Sequence, residues 1–404
     1  MINAEKVESS RVLKDGEKCY TQQHYHLFPG RAFRVAKSTS NEIAMPVPIT
    51  QSLAIDIPLF QAPMAGISTP ALAAAVSNAG ALGALGLGAS SLAHAREAIR
   101  RTRALTDRPF NVNLFCHAPP VRDAAAEAAW LEVLRPQFAR FGAEPPRGLS
   151  EIYTSFCGHQ EMLAMLLEER PAVVSFHFGL PEAQAIAALR AKGIRLAATA
   201  TSLSEAQQAQ DAGIEMIIAQ GIEAGGHRGI FDAGATDYQT STLALLQLLR
   251  PRIGAPIVVA GGIMDGAGIR AAMSLGADGV QLGTAFLLCP ESAADAGYRR
   301  ALTAPGERRT WLTAAISGRP ARCVDNAFCA AGRLADPRTV APYPLAYDAG
   351  KALAAAARAG GDEGYGAHWA GQGVNLLREM PAAALIATLR EEYRRAGDRR
   401  DDRF

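Results

Sequence analysis

The residue of this chain best suited to acid–base chemistry is His227, in the segment 225–229 (Gly-Gly-His-Arg-Gly). Histidine changes its charge near neutral pH, so it is a good acceptor and donor of protons. Glycines on both sides let the backbone bring the imidazole close to a flat ligand. A lone histidine in a loop is more often structural, but these glycines favour catalysis. His177, between Phe176 and Phe178, instead has the neighbours of a packed structural histidine.

A second group of polar side chains consists of Tyr343, Tyr347 and Lys351, spaced at i, i+4 and i+8. On a helix these positions share one face. Pro344 suits a first helical turn, so Tyr343 is expected at the helix start or just before it. Two phenols and an ammonium suit an anionic substrate that carries a second negative group. A half-buried stripe on a helix surface would show the same spacing, so the residues alone leave both interpretations open.

Two glycine-containing segments predict a phosphate site: 260–263 (Ala-Gly-Gly-Ile) and 281–284 (Gln-Leu-Gly-Thr). Glycine lets backbone N–H groups approach a phosphate, and the dipole of a following helix adds attraction. Thr284 adds a hydroxyl donor. The ligand indicated is FMN or a sugar phosphate. No GxGxxG motif follows the first predicted strand, which disfavours a dinucleotide-binding Rossmann fold.

Amide side chains and a proline-glycine segment could contact a flat ring. Asn113 and Gln220 each lie near the end of a predicted strand, and 61–66 reads Gln-Ala-Pro-Met-Ala-Gly. Amides can form hydrogen bonds with the polar edge of a flavin. They can equally satisfy backbone groups of a loop, and the residues alone do not separate these roles.

Eight short apolar runs that alternate with helical patterns would position these groups. The predicted strands are Leu59–Gly66, Ala81–Gly88, Phe110–Phe115, Ala172–Gly179, Arg195–Thr201, Met216–Gly221, Pro256–Ile263 and Gly279–Leu287. Eight such units predict an α/β protein with a (β/α)8 TIM barrel, whose chemistry lies at the carboxyl ends of the strands. A doubly wound open sheet is the second choice.

The rest of the chain is expected to form an insertion, a long loop and a cap around this barrel. The barrel is assigned to residues 45–289, with an insertion at about 116–158 after the third strand and a glycine-rich loop at 222–238. Residues 290–404 are interpreted as a mainly helical cap over one end of the barrel. Its predicted helices are Trp311–Ser317, Leu345–Ala359 and Ala382–Arg395.

Residues 1–44 differ in composition from the remainder of the chain, because they hold four of its six lysines. We interpret them as an extension foreign to the fold, from an upstream sequence, a fusion or a misplaced start. The alternative is a genuine arm that wraps the barrel. They contain no apolar core typical of a signal peptide.

Composition excludes several classes of function. Hydrophobic residues make up 49% and charged residues 20%, which is enough for a large core, and a net charge of +2 argues against nucleic acid as a partner. None of the six cysteines forms a CxxC pair, and no Cys/His cluster has zinc spacing, so no metal is expected. The chain has no uninterrupted run of about 18 apolar residues, so no transmembrane helix is expected. A cytoplasmic protein with reduced thiols is expected.

Several motifs together resemble the nitronate monooxygenase family, formerly the 2-nitropropane dioxygenases. They are QAPMAGISTPALAAAVSNAGALG, NVNLF, AQGIEAGGHRG, AGGI and DGVQLGTAFL, from about Pro58 onward. The later segments YPLAYDAGKAL and HWAGQGVNLLREMPA are similar to the bacterial class I branch. The resemblance implies non-covalent FMN held by Met64, Asn113, Gln220, Gly225, Gly262, Gln281, Leu282, Gly283 and Thr284.

The resemblance also implies a reaction. His227 would be the catalytic histidine, and Tyr343, Tyr347 and Lys351 would lie over the flavin beside the substrate. A nitronate such as propionate 3-nitronate would give one electron to FMN and leave a flavin semiquinone. O2 would then enter, and a carbonyl compound and nitrite would leave. The chain would work as a monomer or homodimer.

Three other functions remain open from the residues. A flavin-dependent enoyl-acyl-carrier-protein reductase would share the barrel and the histidine loop but would need NADH or NADPH. A non-catalytic flavin carrier would hold an unreactive flavin. A phosphosugar barrel would hold no flavin.

Overall fold

The computed structural model describes residues 47–398, so the expected extension at 1–44 lies outside the described residues. The strands in this range are β1 Leu59–Gln61, β2 Gly83–Gly86, β3 Phe110–Phe115, β4 Val173–His177, β5 Arg195–Ala200, β6 Met216–Gln220, β7 Gly226–His227, β8 Ile257–Ala260, β9 Gly279–Leu282, β10 Thr310–Thr313 and β11 Ala321–Val324. All except β7, β10 and β11 form one parallel sheet in the order β1-β9-β8-β6-β5-β4-β3-β2.

The two ends of this sheet meet. Phe60 of β1 bridges Leu82, directly before β2, and Gln61 N–H donates to the Leu82 carbonyl at 2.9 Å. The sheet is therefore a closed eight-stranded barrel, which confirms the predicted (β/α)8 fold and excludes the open doubly wound sheet. Closure removes the unpaired edges that an open sheet would expose.

Several observed strands end earlier than predicted. Strand β1 stops at Gln61, opposite Leu282 of β9, although the apolar pattern extends to Gly66. Backbone pairing decides the end of a strand, and apolar character alone does not reveal it. The released segment 62–66 is free to line the end of the barrel.

Thirteen α-helices lie within residues 47–398, and most of them connect the barrel strands or belong to the cap. They are α1 Ile49–Leu53, α2 Pro70–Asn78, α3 Leu92–Leu105, α4 Ala124–Ala139, α5 Gln160–Glu169, α6 Ala183–Ala191, α7 Leu203–Asp211, α8 Thr242–Leu249, α9 Gly266–Ser274, α10 Ala296–Thr303, α11 Ala327–Leu334, α12 Leu345–Ala359 and α13 Ala382–Asp398. Short polar side chains cap many of them: Thr69 accepts from Leu72 N–H, and Asp265 accepts from Gly268 N–H.

The last helix corrects the expected cap over residues 290–404. Helix α13 packs against α2 and α9 on the outside of the barrel, and its Leu385 and Leu389 share the apolar core that holds Leu72. Gly266 of α9 lies against the backbone of Tyr393, where a side chain would not fit. Helix α13 is therefore the eighth barrel helix, and the cap is an excursion between β9 and α13.

The cap also contains a small sheet where a helix was predicted. Residues 311–317 begin in β10, which is antiparallel to β11, and β11 pairs in turn with β7. The prediction of a helix at Trp311–Ser317 was wrong because residues 310–313 pair with β11, the next strand along the chain. The helices predicted at Leu345–Ala359 and Ala382–Arg395 are confirmed as α12 and α13.

Separate apolar clusters hold the parts together. The short helix α1 places Ile49 and Leu53 among the barrel-strand side chains, including Phe60. The insertion after β3 places Trp130 of α4 in a second core with Leu353 of α12. No helix within residues 47–398 has the length and apolarity needed to cross a membrane.

Candidate active site

A cavity of about 1030 Å³ opens at the carboxyl ends of the barrel strands, where chemistry is expected in this fold. It brings together all the site residues predicted from the sequence. These lining residues are Met64, Asn113, Gln220, Gly225, His227, Gly262, Gln281, Leu282, Gly283, Thr284, Tyr343, Tyr347 and Lys351.

His227 is held by the cap as well as by the barrel. It lies on β7, opposite Ala321 of β11, and its Nε2 lies 2.9 Å from the Ser317 hydroxyl. That hydroxyl donates to the Arg319 carbonyl at 3.2 Å, so the network assigns the proton of the imidazole to Nε2. Nδ1 then carries the lone pair that can meet a substrate.

The imidazole of His227 is neutral. Burial, followed by the neighbouring His177 and Arg319, lowers its pKa to about 3. A base with so low a pKa is weak toward a neutral carbon acid, because general bases work best near the operating pH. The site is therefore better suited to a substrate that arrives as an anion.

Two neighbouring side chains fix the backbone of the histidine loop. Gln220 Nε2 donates to the His227 carbonyl at 2.9 Å, and Gln220 Oε1 accepts from Gly229 N–H at 2.8 Å. His177 Nε2 lies 3.2 Å from the same carbonyl, while its Nδ1 lies 3.0 Å from the Thr199 hydroxyl. Both imidazole nitrogens of His177 are thus engaged, which fits the structural role expected for it.

Aromatic side chains surround the imidazole. The ring centroids of Trp369, Tyr343 and Tyr347 lie 5.0, 5.6 and 6.0 Å from that of His227. Tyr343 precedes α12, and Tyr347 lies on it, so one segment supplies both phenols. Burial raises the pKa of each tyrosine above its ordinary value, so both are neutral and can donate hydrogen bonds at neutral pH.

Lys351 is the cation of the predicted anion site. Its Nζ lies 4.7 Å from the ring centroid of Tyr153 and 5.4 Å from that of Tyr347. Burial lowers the pKa of this ammonium somewhat, and the nearby Asp348 opposes the shift. Contacts with two rings hold the ammonium at the cavity, and it forms no ion pair with a carboxylate of residues 47–398.

Residues after β8 and β9 fit a phosphate. The backbone N–H groups of Gly262, Gly283 and Thr284 donate to no acceptor in the described part of the chain. The Thr284 hydroxyl accepts from Gly371 N–H at 2.9 Å, which leaves its own proton to donate. Gly262 has a φ of +70°, which favours glycine. Four free donors that line one cavity suit a phosphate monoester.

The cap approaches the histidine loop closely at Gly225. A Cβ at this position would lie 2.5 Å from the backbone nitrogen of Gly371. Only glycine leaves room for the two segments to touch, so Gly225 supports the site by close packing of backbone. A role for it in contacting a cofactor stays a prediction.

The side-chain amide nitrogen of Asn113 forms hydrogen bonds with a neighbouring barrel strand. Its Nδ2 donates to the Ser175 hydroxyl at 2.9 Å and to the Ser175 carbonyl at 3.2 Å. The amide oxygen is left as an acceptor toward the cavity. Such an acceptor suits an N–H group on the edge of a flavin.

Several residues around the cavity were not among the site residues predicted from the sequence. Tyr153 is in the insertion after β3, Ser317 and Arg319 precede β11, and Trp369 follows α12. Only Trp369 belongs to a motif that carries the family resemblance, HWAGQG. The others reach His227 or Lys351 only because distant segments fold together.

Comparison with known proteins agrees with this geometry. The model of the nitronate monooxygenase family matches residues 47–392. This chain belongs to that family. Two relatives called nitronate monooxygenase are 59% identical over 346 residues (85% of this chain and 94% of the relative), from Paraburkholderia phytofirmans, and 55% identical over 347 residues (85% and 98%), from Pseudomonas aeruginosa.

A solved structure supports the same assignment. The nitroalkane oxidase from Streptomyces ansochromogenes superposes with a TM-score of 0.79 and 40% identity, covering 87% of this chain and 99% of that one. Membership of the nitronate monooxygenase family makes the chain an oxidoreductase, as the sequence motifs predicted.

Proposed function

We propose that this member of the nitronate monooxygenase family binds FMN and uses O2 to oxidise small alkyl nitronates, giving a carbonyl compound and nitrite. Propionate 3-nitronate is the substrate class that fits best. The observation that carries the proposal is that a neutral His227, a cationic Lys351 and the phosphate donors after β8 and β9 all line one cavity.

The site residues have separate roles in this proposal. The N–H groups of Gly262, Gly283 and Thr284 would hold the phosphate of FMN, and the amide oxygen of Asn113 would accept from the edge of its ring. Bound FMN would supply the electron acceptor that an electron-rich nitronate needs. The chain supplies position and electrostatic stabilisation.

The nitronate would lie between the histidine and the cap. His227 Nδ1 lies on the side of the imidazole away from Ser317, where its lone pair would take the α-proton of a nitroalkane and then donate that proton to an oxygen of the nitronate so formed. The phenols of Tyr343 and Tyr347 would donate to other oxygens of the anion. Lys351 would pair with a carboxylate at the far end of the substrate. Aromatic walls would exclude water and strengthen these interactions.

The test is an anaerobic absorbance spectrum before and after addition of propionate 3-nitronate. We expect the spectrum of oxidised flavin and its rapid loss on addition, followed by return when O2 is admitted. A bound flavin that ignores the nitronate but is reduced by NADPH would favour an enoyl reductase instead. A colourless protein that binds no added FMN would contradict the proposal.

Replacement of Lys351 by methionine should weaken recognition of the substrate's carboxylate and leave recognition of its nitronate group unchanged. We expect kcat/KM for propionate 3-nitronate to fall by about 10–100-fold, since a charge-assisted hydrogen bond contributes about 1.5–3 kcal/mol. Ethyl nitronate, which has no carboxylate, should lose little. Steady-state kinetics with both substrates measures the difference. Equal losses for the two would contradict the pairing of Lys351 with a carboxylate.

A further inference from the structure

Arg319 is a buried cation beside the active site. Arg319 is 5% exposed. Among residues 47–398 its side chain donates one hydrogen bond, from Nη1 to the Ile230 carbonyl at 2.7 Å. Its guanidinium carbon lies 4.5 Å from the ring centroid of Phe178. Burial lowers the pKa of this guanidinium, but arginine keeps its charge at any ordinary pH.

The charge of Arg319 is not neutralised locally. A buried charge usually has a carboxylate partner, as Arg228 has in Asp237 at 2.8 Å. Arg319 forms no ion pair with a carboxylate of the described residues, and the nearest acidic groups, Asp232 and Glu205, act on it only at longer range. Glu205 is already occupied by the backbone N–H of Phe231 at 2.9 Å.

The backbone of Phe178, whose ring lies under the guanidinium, has a strained conformation. Phe178 has a φ of +73°, which is rare for a bulky side chain and indicates a conformation imposed by the surroundings. Its ring lies 5.5 Å from the ring centroid of His227 and 5.3 Å from that of Tyr343. Phe178 therefore separates the guanidinium from the two rings that face the substrate.

We propose that Arg319 is a positioning residue that supplies a fixed positive charge behind His227 and thereby favours an anionic ligand in the cavity. The guanidinium does not touch the substrate. Its charge acts through the Phe178 ring, whereas the backbone carbonyl of Arg319, which accepts from Ser317, is kept in any side-chain variant. The inference rests on the function proposed above and identifies what selects nitronates over neutral nitroalkanes.

The test uses the flavin-loaded protein and nitrate, a planar anion whose oxygens resemble those of a nitronate. Arg319→Met should weaken nitrate binding, followed as a perturbation of the flavin spectrum, by at least about tenfold, which corresponds to about 1.4 kcal/mol. The KM for ethyl nitronate should rise by a similar factor with a smaller change in kcat. Arg319→Lys, which keeps the charge, should restore most of the affinity.

Arg322→Met is the matched control. Arg322 is 6% exposed, lies on β11 and donates to the Ile222 carbonyl at 3.0 Å, so its loss removes an equally buried arginine from the same segment. We expect a comparable fall in melting temperature but less than a twofold change in nitrate affinity. Equal nitrate affinities in Arg319→Met and Arg322→Met would overturn the inference. Because nitrate binding needs no turnover, that result is separable from a failure of nitronate oxidation.

Discussion

Replacement of His227 by asparagine should lower the turnover of neutral nitroalkanes by about 10²-fold, the lower limit of the usual contribution of a general base, because its low pKa makes it a weak base. Asparagine can keep a hydrogen bond to Ser317 but cannot take a proton from carbon. A preformed nitronate has already lost that proton, so its oxidation should fall much less. Assays with nitroethane and with ethyl nitronate, at the same pH, measure the two effects.

The same substitution at His159 is the control for His227. His159 caps α5 through its Nδ1 and does not line the cavity. Asparagine is itself a good capping residue, so both substrates should be used normally. Retention of full nitroalkane turnover by His227→Asn would rule out His227 as the base. Because the pKa of His227 is about 3, nitroalkane turnover by the native protein should not decline between pH 8 and pH 5 through protonation of this group.

Replacement of Asp237 by asparagine should destabilise the fold by about 3–5 kcal/mol, the cost of leaving a buried charge without its partner. Arg228 is 1% exposed, and it donates to Asp237 through Nε at 2.8 Å and through Nη2 at 3.0 Å. Its third nitrogen donates to the Gly221 carbonyl at 2.9 Å. The pair thus connects the end of β6 to the loop that follows His227. Urea unfolding measures the loss.

An exposed pair gives the control for Asp237. Asp336 pairs with Arg338 at 2.7 Å on the surface, where an ion pair contributes about 0–1 kcal/mol. Asp336→Asn should therefore leave the free energy of unfolding almost unchanged. Similar stabilities for the two variants would show that the Arg228 pair is not important to the fold.

The pH dependence of the same pair has a defined sign. Burial opposes ionisation of Asp237, but hydrogen bonds from Arg228 and from Gln239 N–H outweigh it and lower the pKa. A lowered carboxyl pKa contributes stability that is present above the ordinary value near 4 and is lost as pH falls through the native value. The native protein should lose stability faster than Asp237→Asn as the pH falls below about 4.

Prediction of the fold succeeded where local pattern and packing agree. Parallel barrel strands are buried on both sides, so each reads as an apolar run, and eight of them were countable. The strand ends were less accurate, as at Leu59–Gly66, because hydrogen-bond register sets them. Helix α13 was found with nearly correct bounds, but its place as the eighth barrel helix was not.

The sequence by itself determined which strand-end residues meet at the cavity, because the fold brings the carboxyl ends of all its parallel strands to one side. That rule predicted His227, Thr284 and Asn113 as site residues. Only the tertiary structure decided the tautomer and the pKa of His227. Its partner Ser317 is 90 positions away, brought near by the pairing of β7 with β11. Pairing between distant strands depends on complementary surfaces formed on folding, and no local spacing encodes it.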